Sequence, residues 1–299
     1  MKNNPVYKRE RTVRSRSYRI PLVIFVFNSV LALTALLNMY QTVTQVQMSA
    51  SIQYESFLQL YGFVATLEFM LLMFIMPALT SGSISGERER QTLELLFTTR
   101  MSPKDIVLGK LMSAIEQLMV LVVSSLPVIC LTFVYGSIDV IDLAILFLCF
   151  GIVAFFTGGI GILFSALIRK STFSNVCTYG VLLVIVAGTY ILNMFVLNMD
   201  QMMINNSMFR LQEMRPVADA GAAVYLLLLN PAATFAEILG NQVSGGAGIL
   251  SIRSFFGANA NGVLVRYWIP LSMLVQSIVA SVVIGASIYA LNPVKNEKK

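Results

Sequence analysis

Two carboxylic acids, Glu68 and Glu116, stand inside apolar runs, and a third place concentrates alternating charge, Glu87-Arg88-Glu89-Arg90 with Glu94. Glu68 lies twelve residues into a 23-residue apolar stretch. An ionisable group at the centre of such a stretch costs about 2.5–3.5 kcal/mol on insertion scales, so it must face protein or water. Two roles suit it: a substrate contact or protonation switch in a translocation path, or a neutral, hydrogen-bonded strut between helices. Glu116 follows Lys110 by six residues, near the cytosolic start of its apolar run, where it can snorkel or pair. Asn28, Asn38, Gln117 and Asn193 are polar positions that interhelical hydrogen bonding explains. Catalytic chemistry finds no footing. The chain has no His, which removes imidazole acid–base chemistry, Ser-His-Asp triads and His-based metal sites together. Cys130, Cys149 and Cys177 each sit in an apolar run without CxxC spacing, so neither a disulfide framework nor a zinc site is expected. No GxxxxGK[ST] phosphate loop occurs, since Gly82 and Gly86 have the wrong spacing and no Lys follows.

Lipid sets the elements that hold these residues. Of 299 residues 57% are hydrophobic and only 12% charged, about half the charged fraction of a soluble domain. A span needs about 20 mostly apolar residues, and six runs qualify: 20–40, 57–79, 111–135, 140–168, 173–198 and 268–291. The first run is too long for a signal-peptide core and no small-residue cleavage site follows it, so an uncleaved first helix is expected. With residues 1–19 in the cytosol, the segments 1–19, 80–110, 169–172 and 292–299 share that side and hold 17 of the 21 Lys and Arg. The inverted topology would place those cations outside, so both termini are expected to be cytosolic. The net charge of +6 therefore reports membrane orientation, and a nucleic-acid partner is not expected. The sequence predicts one all-α transmembrane domain over 1–299, with an external segment at 199–266. Within it, 220–239 is apolar enough for a seventh span, but Asn230-Pro231 would fall at its centre. A short re-entrant helical hairpin suits that break better. Gly240 to Gly262 reads as loop.

Between the second and third spans the periodicity predicts a short amphipathic helix from about Glu87 to Thr98. Leu93, Leu96 and Phe97 fall at i, i+3, i+4 spacing, with Glu87, Arg88, Arg90 and Glu94 elsewhere on the circumference. Ser102-Pro103-Lys104-Asp105 then provides an N-cap with Pro at the first helical position, restarting a helix into the third span. The run Ser85-Gly86-Glu87-Arg88-Glu89-Arg90-Gln91-Thr92-Leu93-Glu94-Leu95-Leu96, followed by Ser102-Pro103-Lys104-Asp105-Ile106-Val107-Leu108-Gly109-Lys110, resembles the cytosolic loop of the ABC-2 family of ATP-binding-cassette exporter permeases. Gln91 stands where that pattern usually has Gly. The motif covers about 30 residues and the span layout the whole chain.

The resemblance implies that Glu87, Arg88, Glu89, Arg90, Thr92, Leu93, Glu94, Leu96, Ser102 and Pro103 belong to a coupling helix that docks on an ABC ATPase subunit. It also implies a second permease subunit, a cell-membrane location, and re-entrant external helices before the last span. ATP would be bound by the partner, and this chain would hold no cofactor and be no enzyme. Physics alone leaves a second role open for the loop: an interfacial helix lying on the membrane. Reversing Glu87 and Glu89 to Lys should separate the two roles if both acids face the partner. Ser244-Gly245-Gly246 is similar to part of an ATPase nucleotide-binding signature but lacks its flanking Leu and Gln. Asn205-Asn206-Ser207 is a formal sequon of a kind common by chance. Small residues recur at Gly151, Ala154, Gly158, Gly161 and Ser165 and again at Ser277, Ser281 and Gly285, spacings that permit close helix approach. The 16 Met and 19 Phe suit lipid-facing and packing roles, or a plastic apolar cavity. The function expected is the permease of an ABC exporter. The contrasting reading is a non-transporting scaffold or an ion-driven carrier, although inverted-repeat halves and multiple midplane charges are missing.

Overall fold

The computed structural model describes residues 5–15, 18–49, 54–93, 101–133, 139–208, 217–244, 252–257 and 262–291. Among them the regular structure is helical, with no strand. The protein is an all-α polytopic membrane protein. Six helices are long and apolar enough to cross a bilayer: Pro21–Gln41, Tyr61–Glu89, Pro103–Ile129, Val140–Leu167, Ser171–Asn205 and Trp268–Ala290. Hydrocarbon offers the backbone no hydrogen-bond partner, so each apolar run must satisfy its own N–H and C=O groups as a helix.

In chain order the helices are α1 (Pro5–Ser15), α2 (Arg19–Ser49), α3 (Tyr54–Thr80), α4 (Ser85–Glu89), α5 (Pro103–Phe133), α6 (Val140–Leu167) and α7 (Ser171–Leu183). A π-helical turn, Val184–Gly188, joins α7 to α8 (Thr189–Met208). A 3-10 helix, Gly221–Leu229, precedes α9 (Pro231–Ser244), and a second, Ile252–Phe255, precedes α10 (Val263–Arg266) and α11 (Trp268–Ala290). The chain divides into two compact units, Met1–Thr178 with Ala280–Lys299, and Tyr179–Val279.

In the first unit α3, α5 and α6 share a core that includes Tyr61, Leu72, Met76, Leu111, Leu118, Phe150 and Phe156, all fully buried or nearly so. The small residues of α6 form the seam. A Cβ on Gly158 would overlap Met76 and lie 2.9 Å from Leu111 Cδ1, and one on Gly161 would overlap Thr80 and lie 3.3 Å from the Ser81 nitrogen. These glycines therefore serve packing within the chain. Asn28 adds a polar tie, donating to Ser124 Oγ on α5 at 2.8 Å.

The second unit is organised around a break. Gly221–Leu229 and Pro231–Val243 meet at 95°, so the segment 220–239 is a bent pair and not one straight rod. Asn230 sits at the corner with no exposed surface. Its Oδ1 accepts from the Ala232 and Ala233 nitrogens at 2.9 and 3.4 Å, capping α9. Its Nδ2 donates to the Val186 carbonyl at 3.0 Å and to Thr189 Oγ1 at 2.8 Å. The π turn makes this possible, because its extra residue loosens the regular ladder of carbonyl acceptors. Asn193 adds a parallel tie, donating to the Ala223 carbonyl at 3.0 Å. Packed with the bent pair is an apolar cluster of Ala220, Val224, Leu227, Ala233, Ile252, Phe255 and Trp268. One expectation needs correction. The stretch from Gly240 is not all loop, since α9 runs through it to Ser244 and Ile252–Phe255 forms a 3-10 turn. Burial of Ile238 and Glu237 on that helix, with Glu237 accepting from the Ile252 nitrogen at 3.2 Å, outweighs the low helix propensity of Gly240.

Candidate functional site

The loop between α3 and α5 folds back onto the ends of its neighbours. α3 ends at Thr80, where hydroxyls return to the preceding turn: Thr80 Oγ1 donates to the Met76 carbonyl at 2.9 Å and Ser81 Oγ to the Pro77 carbonyl at 2.6 Å. Ser165 on α6 then accepts from the Ile84 and Ser85 nitrogens at 2.8 and 3.0 Å, satisfying donors that start α4. Ser174 on α7 reaches the Ser81 carbonyl at 2.7 Å.

The charges of α4 point into the same assembly. Arg88 Nη2 donates to the Ala166 carbonyl at 3.2 Å, at the C-terminal end of α6. Glu89 accepts from the Ser171 nitrogen at 3.0 Å and from Ser171 Oγ at 2.6 Å, at the N-terminal end of α7. A cation at a helix C-terminus and an anion at a helix N-terminus both oppose the local dipole, so the two contacts are favourable for one reason. The Ser171 bonds hold the Glu89 carboxyl below the usual carboxylate range, with smaller help from Lys170 and Arg90. Its stabilising contact is present at neutral pH and is lost only as pH falls through that lowered value. Desolvation, and then the neighbouring Arg169, pull Arg88 below its ordinary value.

Glu87 meets a buried cation. Lys110 Nζ lies 2.8 Å from Glu87 Oε1 and 3.3 Å from Glu10 Oε1 of α1, with its side chain only 3% exposed. An ammonium so withdrawn from water requires compensating anions. Glu116 pairs with α1 as well, through Arg11 Nε at 3.5 Å. It also hydrogen-bonds Tyr7, which raises the Tyr7 hydroxyl above its usual value. The N-terminal helix, the loop and the start of α5 are thereby one ionic assembly.

The expected helix from Glu87 to Thr98 needs correction over its described part. α4 starts earlier, at Ser85, and stops at Glu89. The Gln91 nitrogen donates to the Arg88 carbonyl at 3.1 Å and the Thr92 nitrogen to the Glu87 carbonyl at 3.0 Å, the paired bonds of a Schellman stop. Gln91 carries the required left-handed backbone, φ 57°, and is the non-glycine residue with positive φ among those described. The position where the ABC-2 pattern has Gly is thus the helix terminator, and a side chain there is strained. Left-handed backbone costs an L-residue about 1–2 kcal/mol, offset by the ~0.5–1 kcal/mol entropy cost of Gly. Gln91→Gly should therefore raise the thermal unfolding midpoint, and Gln91→Val should lower it, because β-branching worsens the same conformation.

Leu93 is buried, and Thr92 donates to the Glu87 carbonyl at 3.2 Å. Glu94 and Leu96, with the rest of the predicted apolar stripe, lie outside the described residues. Ser102 caps α5: its Oγ donates to Asp105 Oδ2 at 2.6 Å and accepts from the Asp105 nitrogen at 3.2 Å, with Pro103 at the first helical position. Arg90 and Gln91 remain exposed, as do Lys104, Arg169 and Lys170. Glu68 sits elsewhere. It is fully buried, hydrogen-bonded to Ser125 of α5, and its Oε2 has no partner among the described residues. Glu10, Lys110, Ser165 and Ser171 were not legible as partners. The available signals were a lone Lys just inside an apolar run and hydroxyls at helix ends.

The described helices are those of a polytopic membrane protein, with a short charged loop bonded to the ends of its third to fifth spans. The chain matches the family model described as ABC-2 family transporter protein over residues 5–291, and it belongs to that family. It is a multi-pass membrane permease of an ABC transporter, and membership implies association with an ABC ATPase subunit. No curated protein matches the chain closely enough to count as a relative.

Proposed function

We propose that this chain is the membrane subunit of an ATP-driven exporter, paired with a second permease and driven by two separate ATPase subunits. It binds no nucleotide itself. ATP closes the ATPase pair, the loop between α3 and α5 moves with it, and a path between the two permeases opens outward. Differential coupling of ATP to the two permease conformations supplies the driving force. Residues Glu87 to Leu96, with Ser102 and Pro103, form the coupling element, and both chain termini are cytosolic.

One observation supports this reading: α4 is bonded to the ends of membrane helices. Arg88 holds the end of α6, Glu89 the start of α7, and Glu87 the Lys110 of α5. A force on this loop reaches three membrane helices through fixed contacts. Exposed Arg90 and Lys170 flank Glu89 and are free to meet an ATPase surface.

Arg90→Glu with Lys170→Glu should reduce co-purification of a co-expressed ABC ATPase partner by about tenfold, equivalent to 1.4 kcal/mol. Stimulated ATPase activity should fall with it, while insertion of the permease is unchanged. Unchanged co-purification and activity would remove the docking role from these residues. For topology, a Cys introduced at position 245 should react with an impermeant reagent on intact cells and one at position 100 should not.

A further inference from the structure

The fifth span is longer than a bilayer requires. The hydrocarbon core takes about 20 residues, whereas the helix Ser171–Asn205 has 35. Its apolar run extends to Leu197, interrupted at Asn193, after which Asn198, Asp200, Gln201, Asn205 and Asn206 enter the sequence. Within this polar stretch three methionines stay exposed: Met199 at 41%, Met202 at 64% and Met203 at 64%. Lipid accounts for an exposed methionine such as Met70, at 58%, in the middle of an apolar span. It does not account for a methionine cluster among Asn, Asp and Gln beyond the apolar run. Six of the 16 methionines in the chain fall between positions 194 and 214.

The spacing puts the three thioethers on one face. At about 100° per residue, Met202 and Met203 lie roughly 60° and 40° to either side of Met199. Residues three and four apart on a helix have Cβ atoms about 5–6 Å apart. Three rotatable bonds per side chain let the sulfurs converge. The neighbouring carboxylate is engaged, since Asp200 Oδ2 accepts from the Asp219 nitrogen at 2.9 Å, a bond that also anchors this end of α8. The face itself presents thioether sulfur, with the Asp200 carboxylate beside it. Thioethers are soft ligands that select Cu(I) and discriminate against hard cations such as Mg²⁺.

We propose that Met199, Met202 and Met203 form a surface thioether site for a soft monovalent cation of the Cu(I) class. The site depends on neither the transport direction nor the ATPase partner. Ag(I), redox-inert and equally thiophilic, is the probe, titrated into the full chain in phosphatidylcholine nanodiscs and read by calorimetry and by retained metal. Wild type should retain one more Ag(I) than the Met199→Leu, Met202→Leu, Met203→Leu variant. The variant keeps the apolar volume and should keep its thermal midpoint. Its affinity at this site should drop more than about 10–100-fold, the loss that second-shell changes alone cause at metal sites. Met202→Leu alone should weaken binding in the same direction, Met70→Leu should bind as wild type, and Mg²⁺ should not be retained. Equal Ag(I) stoichiometry and affinity in wild type and triple variant would overturn the site. So would retention by wild type no greater than by empty nanodiscs. Either result would return the three residues to an apolar contact role.

Discussion

Glu87→Lys should cost the folded permease about 3–5 kcal/mol, the penalty for breaking a buried pair and leaving its partner uncompensated. That is a large share of the roughly 5–15 kcal/mol that holds a domain together. The change removes the 2.8 Å anion from Lys110 Nζ and sets a second ammonium beside a side chain that is 3% exposed. Glu10, at 3.3 Å, is the remaining acid and must then face two cations. Monodisperse yield and thermal midpoint in detergent should both fall. Glu87→Gln should cost much less, because an amide oxygen can still accept from the ammonium. Lys110→Met should also be milder, since it removes the buried ammonium and leaves Glu10 and Glu87 with side chains 24% and 23% exposed, although Glu87 keeps a buried Oε2. If Glu87 faced only a partner protein, all three variants would match wild type in thermal midpoint. This ionic assembly also bears on the use of Glu87 and Glu89 as docking probes. Reversing them disturbs contacts within the permease, so a loss of ATPase association would not isolate docking. Exposed Arg90 lessens that ambiguity, since its link to the assembly is a minor attraction to Glu89.

Asn230→Ala should destabilise the second unit by about 3 kcal/mol. One part is the loss of a helix N-cap, about 1 kcal/mol. The larger part comes from the groups it leaves behind. The Val186 carbonyl loses its Asn230 donor inside a π turn, and the Ala232 and Ala233 nitrogens lose their acceptor. Each buried polar group left unsatisfied costs about 1–3 kcal/mol, and water is not at hand to replace the partner. Asn230→Asp should fall between wild type and Asn230→Ala, because it keeps the acceptor that caps α9 and loses the donor to Val186 and Thr189. Thermal unfolding, with cysteine accessibility on α9 as a local probe, reads both variants. An Asn230→Ala protein within about 0.5 kcal/mol of wild type would show that the corner is held by the apolar cluster alone.

The six spans and the break at Asn230-Pro231 were legible in the sequence because lipid imposes a one-dimensional constraint. A run of about 20 apolar residues must become a helix, and Asn230-Pro231 must interrupt one. The restart at Ser102-Pro103 was equally local, since a cap and its proline act within one turn. The ABC-2 motif was readable for the same reason, being a string of adjacent residues. The partners of that motif were not. Which acid faces Lys110, and that Glu89 meets Ser171 82 positions away, follow from where α5, α6 and α7 end in space. Periodicity also missed the break inside the predicted loop helix, because a Schellman stop on Gln91 ends α4 at Glu89 before Leu93. A terminator depends on one backbone angle, and Gln is a poor signal for it. Whether Glu68 meets water or protein was likewise open in the sequence. Tertiary packing set it beside Ser125 with no exposed surface, because the helix face opposite a residue is a property of two helices and not of one.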